Sequence, residues 1–202
     1  MLNKFVIWLN YFVRQNPARY LFTDQLLGMY LEEHEAKLFG RDLGRVAIWD
    51  VGASVGKITT LMARNSPNAI VYAFEPNLNS LYYLGFRTAS YSNVVIVPCA
   101  LTTEGGTIKG SYDPDFNAKP TGPLVSTISI AEAIAKSGVP TFVKMDIEGA
   151  EFAFFKSPEA KRLQSSTILV AWHPDQTNKP VPQVPGWKNN PVALNATLLT
   201  PL

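Results

Sequence analysis

The sequence predicts an α/β protein with a mostly parallel sheet and helices on both faces. Short apolar runs without polar alternation occur at Val46–Val51, Ala69–Phe74, Val94–Val97, Thr141–Met145 and Thr167–Trp172. Such runs suit strands buried on both sides. Helix-forming stretches separate most of them, and an acid stands at or directly after the end of the first, second and fourth. Short strands alternating with helices indicate right-handed crossovers within one Rossmann-like sheet.

In chain order, the first forty residues read as two helical stretches. Leu2, Phe5, Leu9 and Phe12 recur at helical spacing, and Pro17 interrupts them. Thr23 and Asp24 then offer capping oxygens ahead of Leu26, Leu27, Tyr30 and Leu31. Helices are expected over Lys57–Arg64, Leu78–Phe86, Ile128–Ala135 and Ala150–Leu163. Residues 103–124, rich in Gly, Pro, Asp and Asn, read as a hairpin or long surface loop. Loops of that length are uncommon without a function, so this one is either a substrate lid or a tolerated insertion. After Pro174 the chain turns proline-rich and loses periodicity. That predicts short or atypical C-terminal strands, with one last strand over 192–199.

Composition bounds the function. A chain of 202 residues, 47% hydrophobic and 17% charged, is long enough for one domain with a three-layer core. A net charge of +2 gives no argument for nucleic acid. No basic stretch is interleaved with aromatics, so no nucleic-acid partner is expected. Cys99, the single cysteine, excludes an internal disulfide and points to a reducing, cytoplasmic setting. The apolar stretch Phe5–Leu9 is broken by Asn10 and Arg14, far short of the roughly 20 residues of a membrane span. No transmembrane segment is expected; the N-terminal helices pack on the domain or pair with a second copy as a homodimer.

Chemistry-bearing residues gather at the C-terminal ends of successive strands, the edge where ligands bind in open parallel sheets. Asp50-Val51-Gly52-Ala53-Ser54-Val55-Gly56 pairs a strand-tip acid with glycines that permit a sharp turn into a helix. It is not the Gly-x-Gly-x-x-Gly dinucleotide pattern. An acid here suits a cationic ligand and would repel a pyrophosphate. Glu75, within Phe74-Glu75-Pro76-Asn77, ends the second strand, where a carboxylate can accept hydrogen bonds from both ribose hydroxyls. The third cluster, Lys144-Met145-Asp146-Ile147-Glu148-Gly149-Ala150-Glu151, sets one lysine and three acids directly after a buried strand. Asp146 stands at that strand tip. Glu151 falls in the first turn of the next helix, where an acid is favourable without any function.

Together, Asp-Val-Gly-Ala-Ser-x-Gly-x-x-Thr, Phe-Glu-Pro-Asn and Lys-Met-Asp-Ile-Glu-Gly-Ala-Glu resemble the successive signatures of the FkbM-type methyltransferases, over about Val46 to His173. The resemblance implies a class I methyltransferase fold and a single methyltransferase domain over 1–202. Within it, N-terminal helices take 1–43, a cofactor-binding core 45–175 and the tail 176–202. It also implies S-adenosylmethionine as cofactor and O-methylation of a hydroxyl on a sugar, glycan or natural product. By resemblance, Asp50, Gly52, Ala53, Ser54 and Gly56 hold the methionine end, and Glu75, Pro76 and Asn77 the ribose. The segment around Ala100 would hold the adenine, and Asp146 would face the sulfonium.

The acceptor proton needs a base. His173, just past the fifth strand, suits that task by its ordinary pKa near 6.5. Asp146, Glu148 and Lys144 are the other catalytic candidates. No third well-placed ligand is evident beside Asp146 and Glu148, so no metal is expected. Two alternatives stay open: a nicotinamide-dependent oxidoreductase, which leaves Asp50 and the Asp146 cluster unexplained, and a non-catalytic nucleoside-binding protein.

Overall fold

The computed structural model describes residues 33–109, 124–177 and 179–202. The chain divides into two compact units, residues 1–37 and 38–202. Most of the predicted N-terminal helical pair lies outside the described residues; a helix is described over Glu33–Phe39 (α1).

The larger unit alternates strand and helix: β1 Ala47–Val51, α2 Lys57–Asn65, β2 Ile70–Phe74, α3 Leu78–Thr88 and β3 Val94–Val97. Next come β4 Ala100–Thr102, β5 Gly106–Lys109, β6 Leu124–Ser129, α4 Ile130–Ser137 and β7 Phe142–Met145. The chain continues with α5 Glu151–Phe154, a 3-10 helix Pro158–Leu163, β8 Thr167–Ala171, α6 Pro174–Thr177, β9 Trp187–Ala193 and β10 Ala196–Pro201. Seven strands form one sheet in the order β3-β2-β1-β7-β8-β10-β9. β1, β2, β3, β7 and β8 are parallel, whereas β10 runs antiparallel to both neighbours.

Alternation along the central strands places a core on each face. Trp49, Val51, Phe74, Val143 and Met145 join a large cluster with Ile130 and Ala133 of α4, Phe152 of α5 and Leu163 of the 3-10 helix. On the other side Ala73 packs with Ala53 and with Leu84 of α3. Asp50, between Trp49 and Val51, therefore projects away from the large cluster, and Thr59 of α2 reaches its carboxylate.

Three expectations are corrected. The helix expected over 150–163 splits in two, because Pro158 lacks an N–H and cannot sit inside a helix. It instead opens the 3-10 segment, with Ser157 as the cap. α4 starts two residues later than predicted: Ser129 and Glu132 form a capping box, and β6 runs up to that serine. The tail is not a region of short strands. β9 has seven residues and β10 six, joined through Leu194 and Asn195, so the strand expected over 192–199 straddles a turn. Pro191 is tolerated because β9 is the sheet's edge. Aromatic packing seats the hairpin: Phe155 stands 5.7 Å from Trp172 and 6.0 Å from Trp187, ring centre to ring centre. The Trp172 indole N–H donates to Thr197 Oγ1 on β10 at 3.1 Å.

β4, β5 and β6 form a second, three-stranded sheet. β5 and β6 pair antiparallel, so the loop expected over 103–124 has hairpin arms. Residues 110–123 lie outside the described residues.

Candidate active site

The parallel strands bring the three sequence clusters to one rim. Asp146 N donates to Val51 O at 3.0 Å, tying the tip of β7 to that of β1. The Gly52 and Ala53 amides both donate to Phe74 O at 3.0 Å, and Glu75 N donates to Val97 O at 3.1 Å. The ends of β1, β2, β3 and β7 therefore lie side by side. Pro98 and Cys99 join β3 to Ala100, which brings the Ala100 segment to the same edge.

Gly52 is required by close approach. Its φ is +77°, and an added Cβ would collide with the Asp146 carbonyl oxygen. Gly56, at φ +83°, heads α2; a Cβ there would stand 2.6 Å from Leu84 of α3. Ser54 and Glu148 also hold positive φ, at 50° and 54°. Each turns the chain back sharply just past a strand tip.

Glu75 is nearly buried and grips two loops. Its Oε2 accepts from Ser54 N at 2.7 Å and its Oε1 from Asn77 N at 2.8 Å. Burial pushes its carboxyl above the ordinary glutamate range, against those two N–H groups and Lys144, which favour the charged form. Each oxygen keeps one further lone pair for a ligand hydroxyl. The Asn77 side chain caps α3, accepting from Asn79 N and Ser80 N. Pro76 is half-buried between these two residues.

Asp50 sits deeper than the sequence suggests. Its carboxylate is wholly buried, so direct grip on the methionine end is not what its position offers. Thr59 Oγ1 donates to Oδ2 at 2.6 Å, and Lys144 Nζ stands 3.7 Å from Oδ1. Burial raises the Asp50 carboxyl, opposed first by the Lys144 charge. Lys144 is itself buried, donates to Gly52 O at 3.0 Å and reaches Asp146 Oδ2 at 3.3 Å. It is a bracket between the β1 loop and Asp146. Thr59 is the tenth residue of the glycine-loop motif, so a signal for it existed.

At the outer part of the rim, His173 stands among three acids. Nδ1 lies 3.0 Å from Glu151 Oε1, and Nε2 lies 3.4 Å from Asp146 Oδ1 and 3.5 Å from Glu148 Oε2. The hydrogen bond to Glu151 raises the His173 pKa, and burial works against it. Glu151 is the residue that sequence reasoning undervalued. It is wholly buried, its Oε1 also accepts from Ile147 N at 2.8 Å, and its Oε2 has no hydrogen-bond partner. The Glu148-Gly149 turn folds it back under Asp146, which spacing along the chain does not reveal. One ligand atom each from Asp146, Glu151 and His173 lie within 4.8 Å of one another.

The amides of Gly52, Ala53, Ser54 and Gly56 are all engaged within the protein and are not free to cradle a pyrophosphate. Beside the loop, the accessible Asp146 and Glu148 carboxylates suit a positive charge, and the remaining lone pairs of Glu75 suit a diol. That set fits S-adenosylmethionine and disfavours a dinucleotide.

A mostly parallel sheet in this strand order, with a reversed β10 and a carboxylate rim, defines a class I, Rossmann-like methyltransferase. The chain belongs to the FkbM methyltransferases: the family described as "Methyltransferase FkbM domain" matches residues 50–184. Its cofactor is S-adenosylmethionine. No match is found among curated proteins. Among solved structures, the chain is similar to a conserved hypothetical protein of Streptococcus pyogenes, with TM-score 0.50, 10% identity and 82% and 94% of the two chains covered. A SAM-dependent methyltransferase from Aquifex aeolicus aligns with TM-score 0.47 and 11% identity over 91% and 97%. The precorrin-6y C5,15-methyltransferase of Geobacter metallireducens aligns with TM-score 0.44 and 13% identity over 72% of this chain and 63% of that one. The chain thus spans less than two thirds of that last protein's length. No helix of the described residues is long and apolar enough to cross a membrane.

Proposed function

We propose that the protein is an O-methyltransferase acting on a hydroxyl of a sugar, glycan or natural product. The observation that carries this reading is the convergence of Asp146, Glu148 and His173 at the rim beside the glycine loop. An alcohol must lose a proton as it is methylated, and a positioned proton acceptor is worth about 10²–10⁴-fold. An amine acceptor has less need of one.

The roles follow from position. Glu75 receives the ribose hydroxyls, with Pro76 and Asn77 shaping the turn that holds it. Gly52, Ala53, Ser54 and Gly56 form the floor under the methionine end, and Asp50 acts on that floor through Lys144. The Ala100 segment borders the adenine. When bound, S-adenosylmethionine supplies a methyl group on a positively charged sulfur. Asp146 faces that charge, and its neighbours His173 and Glu148 hold the acceptor oxygen and take its proton. Alignment of the acceptor with the methyl group supplies much of the rate, in favourable cases about 7–11 kcal/mol. A non-catalytic nucleoside-binding protein would be favoured by a sheet cut short after β8; the β9–β10 hairpin, which extends the sheet there, supports the enzyme reading instead.

The test is methyl transfer from labelled S-adenosylmethionine to a panel of hydroxylated acceptors, with amine analogues alongside. Label on hydroxyls is the expected result. Label confined to amines, or cofactor binding with no transfer to any acceptor, would sink the reading.

A further inference from the structure

We propose that Asp146, Glu151 and His173 bind a first-row divalent metal ion, of which Mn²⁺ is the representative. The sequence offers no third ligand beside Asp146 and Glu148; the fold supplies two, by folding Glu151 back under Asp146 and setting His173 at the next strand tip. One ligand atom from each of the three lies within 4.8 Å of the other two. Ligands at about 2.0–2.2 Å from a shared ion stand about 3–3.6 Å apart when adjacent and at most about 4.4 Å when opposite, so the side chains must draw together by up to roughly 1–2 Å to bind it.

A cluster of acids alone would not justify a site, since exposed acids often gather without an ion. Here one of them is wholly buried and incompletely satisfied. Glu151 has no exposed surface, its Oε1 serves Ile147 N and His173 Nδ1, and its Oε2 has no hydrogen-bond partner. A buried carboxylate oxygen without a donor is costly, and a cation beside it removes that cost. Asp146 divides its oxygens in a compatible way: Oδ2 faces Lys144 and Oδ1 faces His173. The site is open, because the Asp146 and Glu148 side chains are 34% and 51% exposed. Glu148, 3.5 Å from the imidazole, lies at the mouth.

The donor set selects the ion. Mg²⁺ and Ca²⁺ prefer all-oxygen shells, whereas an imidazole nitrogen with two carboxylates suits Mn²⁺, Fe²⁺ or Zn²⁺. With the ion bound His173 is a ligand, and the acceptor's proton passes to Glu148 at the mouth; the assignment otherwise does not depend on which acceptor is methylated.

The experiment titrates the full chain with Mn²⁺ alone, by calorimetry, with binding of S-adenosylhomocysteine to the wild type measured separately. One saturable Mn²⁺ per chain is expected, weakened roughly tenfold or more in Asp146→Asn, Glu151→Gln and His173→Gln. Glu159→Gln, which alters an exposed acid paired with Arg162, serves as the control and leaves affinity unchanged. A readout on the wild type alone guards against variants that fail to fold. The chain has two histidines, His34 and His173, and substoichiometric Mn²⁺ should broaden one set of imidazole resonances before the other. His173→Gln then identifies which. Absence of saturable uptake, uptake indifferent to all three variants, broadening of His34 first, or full displacement of Mn²⁺ by equimolar Mg²⁺ would each overturn the assignment. Failure to bind S-adenosylhomocysteine would count against the methyltransferase reading instead, and leaves the metal result to be judged separately.

Discussion

Asp50 and Lys144 are register partners on the adjacent parallel strands β1 and β7, and the Lys144 ammonium stands 3.7 Å from the wholly buried Asp50 carboxylate. Removing the cation leaves an uncompensated buried charge, which typically costs about 3–5 kcal/mol. Lys144→Met is expected to lose stability on that scale in urea unfolding. The double variant with Asp50→Asn should recover part of the loss, since neither charge then stays unpaired. Equal destabilisation of the single and double variants would refute the pairing.

Gly52→Ala should abolish binding of S-adenosylhomocysteine. The methyl group would strike the Asp146 carbonyl oxygen, forcing the glycine loop off the tip of β7. Gly44 provides the comparison: its φ of +82° is similar, but an added Cβ meets nothing within 4 Å. Gly44→Ala should therefore show only the backbone penalty, about 1–2 kcal/mol, with binding intact. Calorimetry on both variants separates collision from conformational strain.

Glu75 predicts a pH dependence. In the cofactor-free protein, burial holds its carboxyl above the ordinary glutamate range. The ribose hydroxyls require the ionised form, so a proton must leave before they can bind. Affinity for S-adenosylhomocysteine should accordingly fall as pH drops toward and through that raised value, and level off above it. Glu75→Gln should bind weakly, by tenfold or more for lost charge-assisted acceptors worth roughly 1.5–3 kcal/mol each. Its affinity should be flat over the same pH window. A wild-type profile identical to that of the glutamine variant would exclude ionisation of Glu75 from binding.

The capping box of α4 offers a prediction about stability alone. Ser129 Oγ accepts from Glu132 N at 3.1 Å, and Ser129 N donates to Glu132 Oε2 at 2.9 Å. Ser129→Ala should lower stability by about 1 kcal/mol and leave cofactor affinity unchanged. A change in affinity would mean that α4 couples to the rim.

Much of this architecture is legible along the chain because its signals are local. Apolar runs such as Ile48-Trp49 and Val71-Tyr72-Ala73-Phe74 mark strands buried on both faces. The tail was opaque for a physical reason. β9 is an edge strand carrying Pro191, so it shows neither a continuous apolar run nor clean alternation, and its anchoring comes from Trp187 and Trp172. The 150–163 segment misleads for the opposite reason: its helical pattern is real, and one proline interrupts it.

What the sequence alone determined was the order of the five parallel strands along the chain, the family signatures and the acids at the strand tips, since each depends on residue type and short spacing. What only tertiary structure decided was which of those acids face outward. Strand pairing turned Asp50 inward beneath Lys144, and the Glu148-Gly149 turn carried Glu151 from an unremarkable helix start to the His173 imidazole. Burial and pairing are set by neighbours distant along the chain, so no local pattern can announce them.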